Sequence, residues 1–219
     1  MIRPRLPVFS LILLLLTVMT AGRAAAEARS ETLLVLGDSL SAGYGIPRNQ
    51  EWVHLLQESL TRQQVPLRVV NASISGDTTA GGRARLPALL EREQPDWVLI
   101  ELGGNDGLRG MSLQAMAANL QAMVDMVEAA GARPLLAGIK IPPNYGSRYR
   151  TRFEQVFDTV AQRNDVPLLP FLLDGVGGVN DLMQADRIHP NIRAQPIIAE
   201  NVWQFLQPLV MAEPADSGA

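Results

Sequence analysis

Two histidines, His54 and His189, carry the only imidazole groups in this sequence of 219 residues, and cysteine is absent. Without cysteine the chain can form no disulfide, no thiolate zinc site, no cysteine nucleophile and no acylated N-terminal cysteine. Imidazole has an ordinary pKa near neutrality, which makes it the usual base for activating a serine hydroxyl. Serine-based acyl transfer therefore has two candidate bases. Of these, His54 falls in a predicted amphipathic helix beside Trp52 and Leu55, where packing or solvent contact is expected.

The second histidine, His189, stands in the segment DRIHP, three residues after Asp186 and directly before Pro190. A carboxylate at that spacing reaches the Nδ1–H of the ring within one loop. A proline also disfavours helical backbone at the residue before it, here His189. Ser39 follows a short apolar run and a Gly–Asp pair, so its hydroxyl is expected to project from a strand end. We predict Ser39 as nucleophile, His189 as general base and Asp186 as the carboxylate that holds the tautomer. In the alternative interpretation, Ser39 is a turn or cap residue and Asp186 is a solvated loop residue.

The elements that must position these side chains are visible in the hydrophobic pattern. Five short runs are apolar on successive residues, which is typical of strands covered on both faces of a parallel sheet. Helical stretches separate the runs; one carries Leu113, Met116 and Leu120 on one face, with Ser112 placed to cap it and Gly131 to stop it. This alternation predicts an open α/β sheet whose functional groups gather at the carboxyl ends of the strands. The predicted strands are Thr32–Gly37, Leu67–Ala72, Trp97–Leu102, Arg133–Ile139 and Val166–Leu169, with further helices over 50–64 and 78–93.

Four polar blocks follow strand ends or lie near the chain end: GDSLS from residue 37, NASISGDTT from 71, ELGGNDGLRG from 101 and RIHPN from 187. In their order, and across nearly the whole mature chain, they resemble the GDSL (SGNH) hydrolase family. The closer likeness is to its bacterial periplasmic thioesterase I/lysophospholipase (arylesterase) subgroup, and PPNYGSRY and PLLPF extend it. One such block alone would be a weak signal, whereas four in order are specific. The resemblance implies a three-layer flavodoxin-like α/β fold, with about five parallel strands and helices on both faces.

The same resemblance implies further roles for particular residues. It assigns an oxyanion hole to the backbone N–H groups of Ser39 and Gly76 and to the side-chain amide of Asn105, which are neutral donors that can approach a substrate closely. It implies a serine esterase that hydrolyses acyl thioesters and lipid esters through an acyl-enzyme, with no metal and no organic cofactor. The residues after strand ends that are predicted to line an apolar acyl groove are Leu108, Met111, Ile141, Pro142 and Tyr145.

Two other functions fit the same pattern. A carbohydrate acetylesterase of the same family would use the same site on short acetyl esters. A flavodoxin-like module, by contrast, would bind a phosphate or a cofactor at the first strand–helix turn. That turn, GDSLSAGYG, is rich in glycine, but it is not G-x-G-x-x-G and has no Walker lysine, which disfavours the module.

The N-terminal residues have the pattern of an export signal. Arg3 and Arg5 precede a charge-free apolar run over 6–22, and small residues with Ala-x-Ala sites follow. This is typical of a cleavable secretory signal peptide, and the run is short for a helix that spans a membrane. We predict a signal peptide over 1–26, cleaved after Ala26 or Ala28, then a hydrolase domain over 27–211 and a flexible tail over 212–219. The mature protein is then expected to be periplasmic or secreted.

Composition limits the partners that this chain is expected to have. With 47% hydrophobic and 19% charged residues, the chain is typical of one globular domain rather than a disordered protein. Its net charge is −3; removing three of the 19 basic residues and none of the 22 acidic ones with the signal peptide makes it −6. That balance disfavours nucleic-acid binding. We expect small-molecule acyl esters, thioesters and lysophospholipids as partners, no integral membrane segment after cleavage, and a monomer.

Overall fold

The computed structural model describes residues 30–212. The predicted signal peptide over 1–26 and the predicted tail beyond its first residue therefore lie outside the described residues. Five parallel strands form one sheet in the order β2-β1-β3-β4-β5, which confirms the predicted α/β architecture. Each strand lies inside its predicted run or extends one residue beyond it. The strands are β1 (Glu31–Gly37), β2 (Leu67–Asn71), β3 (Trp97–Glu101), β4 (Arg133–Ala137) and β5 (Leu168–Leu169).

In the described part of the chain, six α-helices accompany the strands: α1 (Trp52–Arg62), α2 (Thr79–Glu93), α3 (Gly104–Leu108), α4 (Leu113–Ala129), α5 (Ser147–Asn164) and α6 (Gln195–Val210). Ser112 caps α4 as predicted, because its side chain accepts a hydrogen bond from the backbone N–H of Ala115 at 3.3 Å. The helix α2 begins at Thr79 and continues through Pro87 to Glu93. Pro87 is exposed, so the Arg83 carbonyl that loses its helical partner can be hydrated by water.

Alternate residues of the strands enter two separate cores, one on each face of the sheet. On β1, Leu33 and Val35 pack with buried residues of α1 and α6, whereas Leu34 and Leu36 pack with those of α2, α4 and α5. This pattern explains the continuous apolar runs, since every strand residue between the layers is covered on its own side. The result is the three-layer arrangement predicted from the sequence. Within residues 30–212, no helix is both long enough and apolar enough to cross a membrane.

The parallel register brings the polar blocks to one edge of the sheet. Gly37 at the end of β1 lies opposite Glu101 at the end of β3. The loop after β2 stays on the same edge, because the backbone N–H of Ile74 donates to the Gly37 carbonyl at 3.0 Å. Functional groups of open parallel sheets collect at this carboxyl edge. The loops after β1, β2 and β3 therefore meet there, and the segment over 183–194 that precedes α6 lies against the loop after β1.

Candidate active site

Three side chains from two distant segments form one hydrogen-bonded chain at the carboxyl edge of the sheet. Nε2 of His189 lies 2.9 Å from Oγ of Ser39, although 150 positions separate the two residues. Nδ1 of the same ring lies 2.6 Å from Oδ2 of Asp186. The backbone at His189 is non-helical, as Pro190 predicts. The structure thus brings together all three residues of the predicted triad, in the order hydroxyl, imidazole, carboxylate.

The carboxylate of Asp186 is held by its own loop. Its Oδ1 accepts hydrogen bonds from the backbone N–H groups of Ile188 at 2.9 Å and His189 at 3.0 Å. Partial burial by itself would raise the pKa of Asp186. The hydrogen bonds from the backbone and ring of His189 and from Ile188 outweigh that effect and lower the pKa to about 2. Asp186 is therefore ionised throughout the neutral range, and its charge faces the Nδ1 side of the ring.

The two histidines have different surroundings. The ring of His189 is covered by Tyr44, whose ring centroid lies 4.5 Å away, and its side chain is mostly shielded from water. His54 is on α1 with 42% of its side chain exposed, and its Nε2 lies 3.4 Å from Oε1 of Glu58, one helical turn away. The prediction that His54 contacts solvent is confirmed. Only one imidazole therefore lies at the sheet edge where the serine is.

The residues assigned to the oxyanion hole come from three parts of the chain: Ser39 from the turn after β1, Gly76 from the loop after β2 and Asn105 from α3. Within residues 30–212, neither the Ser39 N–H nor the Gly76 N–H donates a hydrogen bond to another protein group. Gly76 has φ +81°, a left-handed conformation that favours glycine over residues with a Cβ. The amide of Asn105 is engaged: its Nδ2 donates to Oδ2 of Asp38 at 3.0 Å and to the backbone carbonyl of Asp77 at 2.9 Å.

A pair of buried carboxyl groups lies beneath the serine turn. Burial raises the pKa of Asp38 to about 6, although hydrogen bonds from the Leu40 N–H and the Asn105 amide oppose the shift. Burial, together with the neighbouring charge of Asp38, raises the pKa of Glu101 well above its usual range. Oε2 of Glu101 accepts from the hydroxyl of Ser41 at 2.6 Å and from the Asp38 N–H at 3.3 Å. Its Oε1 has no partner among the described residues, and the neutral form of the acid lowers the cost of that burial.

Two arginines that the sequence analysis did not single out as site residues hold the oxyanion loops. Arg85 on α2 donates from Nε to Oδ2 of Asp77 at 2.8 Å, from Nη1 to the Ala72 carbonyl, and from Nη2 to the Gly37 carbonyl at 3.3 Å. Arg109 donates from Nη2 to the Gly76 carbonyl at 3.0 Å. No local pattern distinguishes Arg85 from a solvated helix residue. Glu101 had a detectable signal, because it is an acid at the end of an otherwise apolar strand.

A cavity of about 320 Å³ opens beside the serine and the imidazole. Of the five residues predicted to line an acyl groove, Leu108, Ile141 and Pro142 are at its wall. The remainder of the apolar wall comes from residues outside this group of five. These residues are Leu40, Ile139, Pro143, Phe171, Leu173, Met183 and Ile188.

Two residues of the predicted groove do not line this cavity, and their assignment is corrected here. Tyr145 lies behind the wall, because its hydroxyl donates to the Leu108 carbonyl at 2.8 Å and its ring faces Tyr149. It therefore supports Leu108 rather than contacting the cavity itself. Met111 is 41% exposed, since the chain after α3 turns outward before α4 begins. A position after a strand end correctly predicted that the segment lies near the cavity, but it did not predict which of its side chains face the cavity.

Comparison with known proteins gives a consistent set of relatives. Residues 35–195 match the model of the GDSL-like lipase/acylhydrolase family. The chain is 55% identical over 184 residues to esterase TesA of Pseudomonas aeruginosa, covering 84% of this chain and 92% of that protein. It is 50% identical over 196 residues to thioesterase 1/protease 1/lysophospholipase L1 of Escherichia coli, covering 90% and 91%. A crystal structure of the psychrotrophic esterase EstA from Pseudoalteromonas, inhibited by monoethylphosphonate, matches with a TM-score of 0.80 and 43% identity, covering 83% of this chain and 100% of that one.

Proposed function

This chain belongs to the GDSL-like lipase/acylhydrolase family, and on that basis we propose that it is a serine esterase that cleaves acyl thioesters and lipid esters through a covalent acyl-enzyme. The observation that carries the proposal is the continuous chain from Oγ of Ser39 through the ring of His189 to Asp186, with contacts of 2.9 Å and 2.6 Å. A serine, an imidazole and a carboxylate in that order are the working parts of acyl transfer.

The proposed reaction has two halves. Ser39 attacks the ester or thioester carbonyl while His189 takes the hydroxyl proton on Nε2, and the tetrahedral intermediate collapses when His189 returns that proton to the departing alcohol or thiol. Water then attacks the acyl-enzyme, with the same imidazole as base and then acid, and the carboxylic acid leaves. Asp186 stays ionised throughout; it holds Nδ1–H and stabilises the imidazolium that forms twice in each turnover.

The negative charge on the intermediate needs fixed donors. The N–H groups of Ser39 and Gly76 supply two without giving up any hydrogen bond within residues 30–212. Asn105 supplies the third donor, but its amide already donates hydrogen bonds to Asp38 and to the Asp77 carbonyl. We therefore infer that one of these two bonds is shared or released when the oxyanion forms. The Asp38 bond is the better candidate, because a pKa of about 6 allows that acceptor to be neutralised near working pH.

The cavity favours an acyl chain longer than acetyl. Its wall next to the serine is built mainly from aliphatic and aromatic side chains, which an acetyl group would leave largely uncovered. The names of the two curated relatives, an esterase and a thioesterase/lysophospholipase, favour the same substrates. Hydrolysis of carbohydrate acetyl esters is the alternative that a chain-length series separates from this proposal. The secretory pattern over 1–26 supports the proposal that the reaction takes place in the periplasm or outside the cell.

An active-site label and a chain-length series test this function. A fluorophosphonate probe should modify Ser39 and no other serine, as read by mass spectrometry of the digested full-length protein. The rate of hydrolysis of p-nitrophenyl esters should rise from acetate to medium-length chains. Acyl thioester and lysolipid hydrolysis should be measurable with the same preparation. Labelling at a different serine would refute the mechanism, and a maximum at acetate would favour the acetylesterase.

Replacing Asn105 by alanine is expected to lower kcat about a hundred- to a thousandfold, since one oxyanion donor contributes about 2.7–4 kcal/mol to lowering the barrier. KM should change little, because the donor acts on a charge that the ground-state ester lacks. The measurement is a full kcat and KM determination on one p-nitrophenyl ester. Asn164→Ala is the matched control. Its amide donates to Gln121 and to the Val160 carbonyl far from the serine, so it should keep normal kcat. A rise in KM alone would remove Asn105 from this role.

A further inference from the structure

The proposed catalytic cavity is lined on one side by cations that the proposed acyl transfer does not use. Lys140, Arg150 and Arg187 all line it, together with the serine and the imidazole. Among residues 30–212, the only acid at the wall is Asp38, which is 2% exposed and hydrogen-bonded to Asn105 and to the backbone of its own turn. Three positive side chains therefore face a small space in a protein whose net charge is negative.

These cations have no carboxylate partners within the described part of the chain. Within residues 30–212, every salt bridge is formed by other residues, for example by Arg85 with Asp77 and by Arg133 with Glu31. Nε of Arg150 is buried and has no hydrogen-bond partner among those residues. Because burial near an unpartnered charge is costly, an anion in the cavity would offset a charge of Arg150 that no acid of residues 30–212 offsets.

The fold holds two of the cations in place without neutralising them. Nζ of Lys140 lies 4.6 Å from the ring centre of Phe171, another residue of the wall, so a cation–π contact keeps the ammonium at the cavity. Arg187 has φ +58° between the two triad residues Asp186 and His189. It stands in the turn that carries the imidazole and lines the same cavity as the serine.

We propose that Lys140, Arg150 and Arg187 form an anion subsite that binds the phosphate of a monoacyl glycerophosphate substrate. The inference rests on the proposed esterase function and names the part of the substrate that the acyl groove does not recognise. Guanidinium groups suit phosphate oxygens because they offer paired, charge-assisted donors, and Lys140 adds a third positive charge.

The position of the subsite favours this substrate class over a thioester carrier. In a monoacyl glycerophosphate only the glycerol carbons separate the ester from the phosphate, so both groups fit one cavity. In a coenzyme-type thioester the phosphates are separated from the sulfur by a long pantetheine arm and would lie outside. The cations and the serine line the same cavity, which matches the shorter spacing.

The test compares two substrates that differ only in the phosphate: 1-lauroylglycerol 3-phosphate and 1-lauroylglycerol, each kept below the concentration at which it aggregates. For the unmodified protein, kcat/KM is expected to be about tenfold to a hundredfold higher for the phosphate ester, as charge-assisted hydrogen bonds imply. Added salt should reduce the preference. Inorganic phosphate should compete with the phosphate ester, and lauroyl-CoA should be affected less by the variants below because its phosphates lie outside.

The triple variant Lys140→Met, Arg150→Met, Arg187→Gly should bring the ratio close to one. Methionine keeps the apolar stem of each long side chain, and glycine accepts the left-handed backbone at Arg187. The matched control is Arg62→Met, Arg83→Met, Arg163→Met, which removes the same charge from residues that do not line the cavity and should keep the full preference. If the triple variant does not fold, Arg187→Gly alone should lower the ratio several-fold.

The outcomes separate this inference from the proposed function. A ratio near one for the unmodified protein, or a ratio that the cation variants leave unchanged, overturns the subsite while 1-lauroylglycerol is still hydrolysed. If Ser39→Ala hydrolyses 1-lauroylglycerol as fast as the unmodified protein, the esterase mechanism itself is refuted. A lowered ratio in the charge-matched control would show that net charge, and not these three residues, sets the preference.

Discussion

Ser39→Ala is expected to lower ester hydrolysis about a millionfold, to the residual rate that oxyanion donors and binding supply without a nucleophile. The reason is geometric: Oγ of Ser39 is the hydroxyl that lies 2.9 Å from the imidazole. Removal of the hydroxyl costs the fold little, because Ser39 is only half-buried and, within residues 30–212, its Oγ hydrogen-bonds only to the imidazole. The measurement is kcat/KM on a p-nitrophenyl ester, with circular dichroism and a melting curve to show that the variant is folded.

His189→Ala should reduce activity by a similar factor, and the double variant should be no worse than either single one. Groups that act as one unit are lost together when any of them is removed. His54→Ala provides the control, since that exposed ring pairs only with Glu58 on its own helix and should retain nearly full activity. Retention of a few per cent of activity in Ser39→Ala, with the protein free of unmodified enzyme, would contradict the assignment of the nucleophile.

Asp186→Asn is expected to lower kcat/KM about ten-thousandfold while the protein stays folded. The asparagine oxygen can still accept the backbone N–H groups of Ile188 and His189, so the loop keeps its shape. Its amide group, however, would face Nδ1 with a donor where the carboxylate accepts, which favours the tautomer protonated on Nε2. That tautomer cannot take the proton of Ser39. The acid limb of the pH–rate profile should not come from Asp186, whose pKa is about 2.

Asp181→Asn is the matched control for this substitution. It lies in the same segment before α6 and is exposed, and its backbone carbonyl, not its side chain, accepts from Asn191. We expect normal kcat/KM for it, measured side by side with Asp186→Asn and Asp186→Ala. The alanine variant should lose thermal stability as well as activity, because two backbone N–H groups lose their acceptor. An Asp186→Asn variant within tenfold of normal activity would exclude a catalytic role for this carboxylate.

The elements of the fold were predictable because their signals are local. A run such as WVLI is apolar on successive residues only where helices cover both faces of a strand, and β3 lies there. Ser112 caps α4 through its own side chain, a contact that spans three residues. The predicted bounds of β1 and β2 differ from the observed ones by one residue at one end. β4 and β5 are each two residues shorter than their runs, because β4 ends at Ala137 and β5 begins only at Leu168, after Pro167.

Part of the site could also be predicted from the sequence, because its signal was local. Asp186 and His189 share one loop, so their spacing alone indicated that they meet. The acyl groove was predicted less well: position after a strand end identified Leu108, Ile141 and Pro142, but not the direction of Met111 or Tyr145. A side chain in an irregular loop has no periodicity to indicate which way it faces. Its direction depends on contacts such as the bond from Tyr145 to the Leu108 carbonyl.

By itself the sequence determined which chemistry was possible: no thiol, two imidazoles, and a serine after an apolar strand. It also determined the order of strands and helices, because amphipathic periodicity is a property of neighbouring residues. The tertiary structure decided which groups meet. Arg85 reaches the ends of β1 and β2 across 48 and 13 positions, and Glu101 lies under the serine turn from 60 positions away. Such contacts depend on the sheet order β2-β1-β3-β4-β5 and on close packing, which no local pattern encodes.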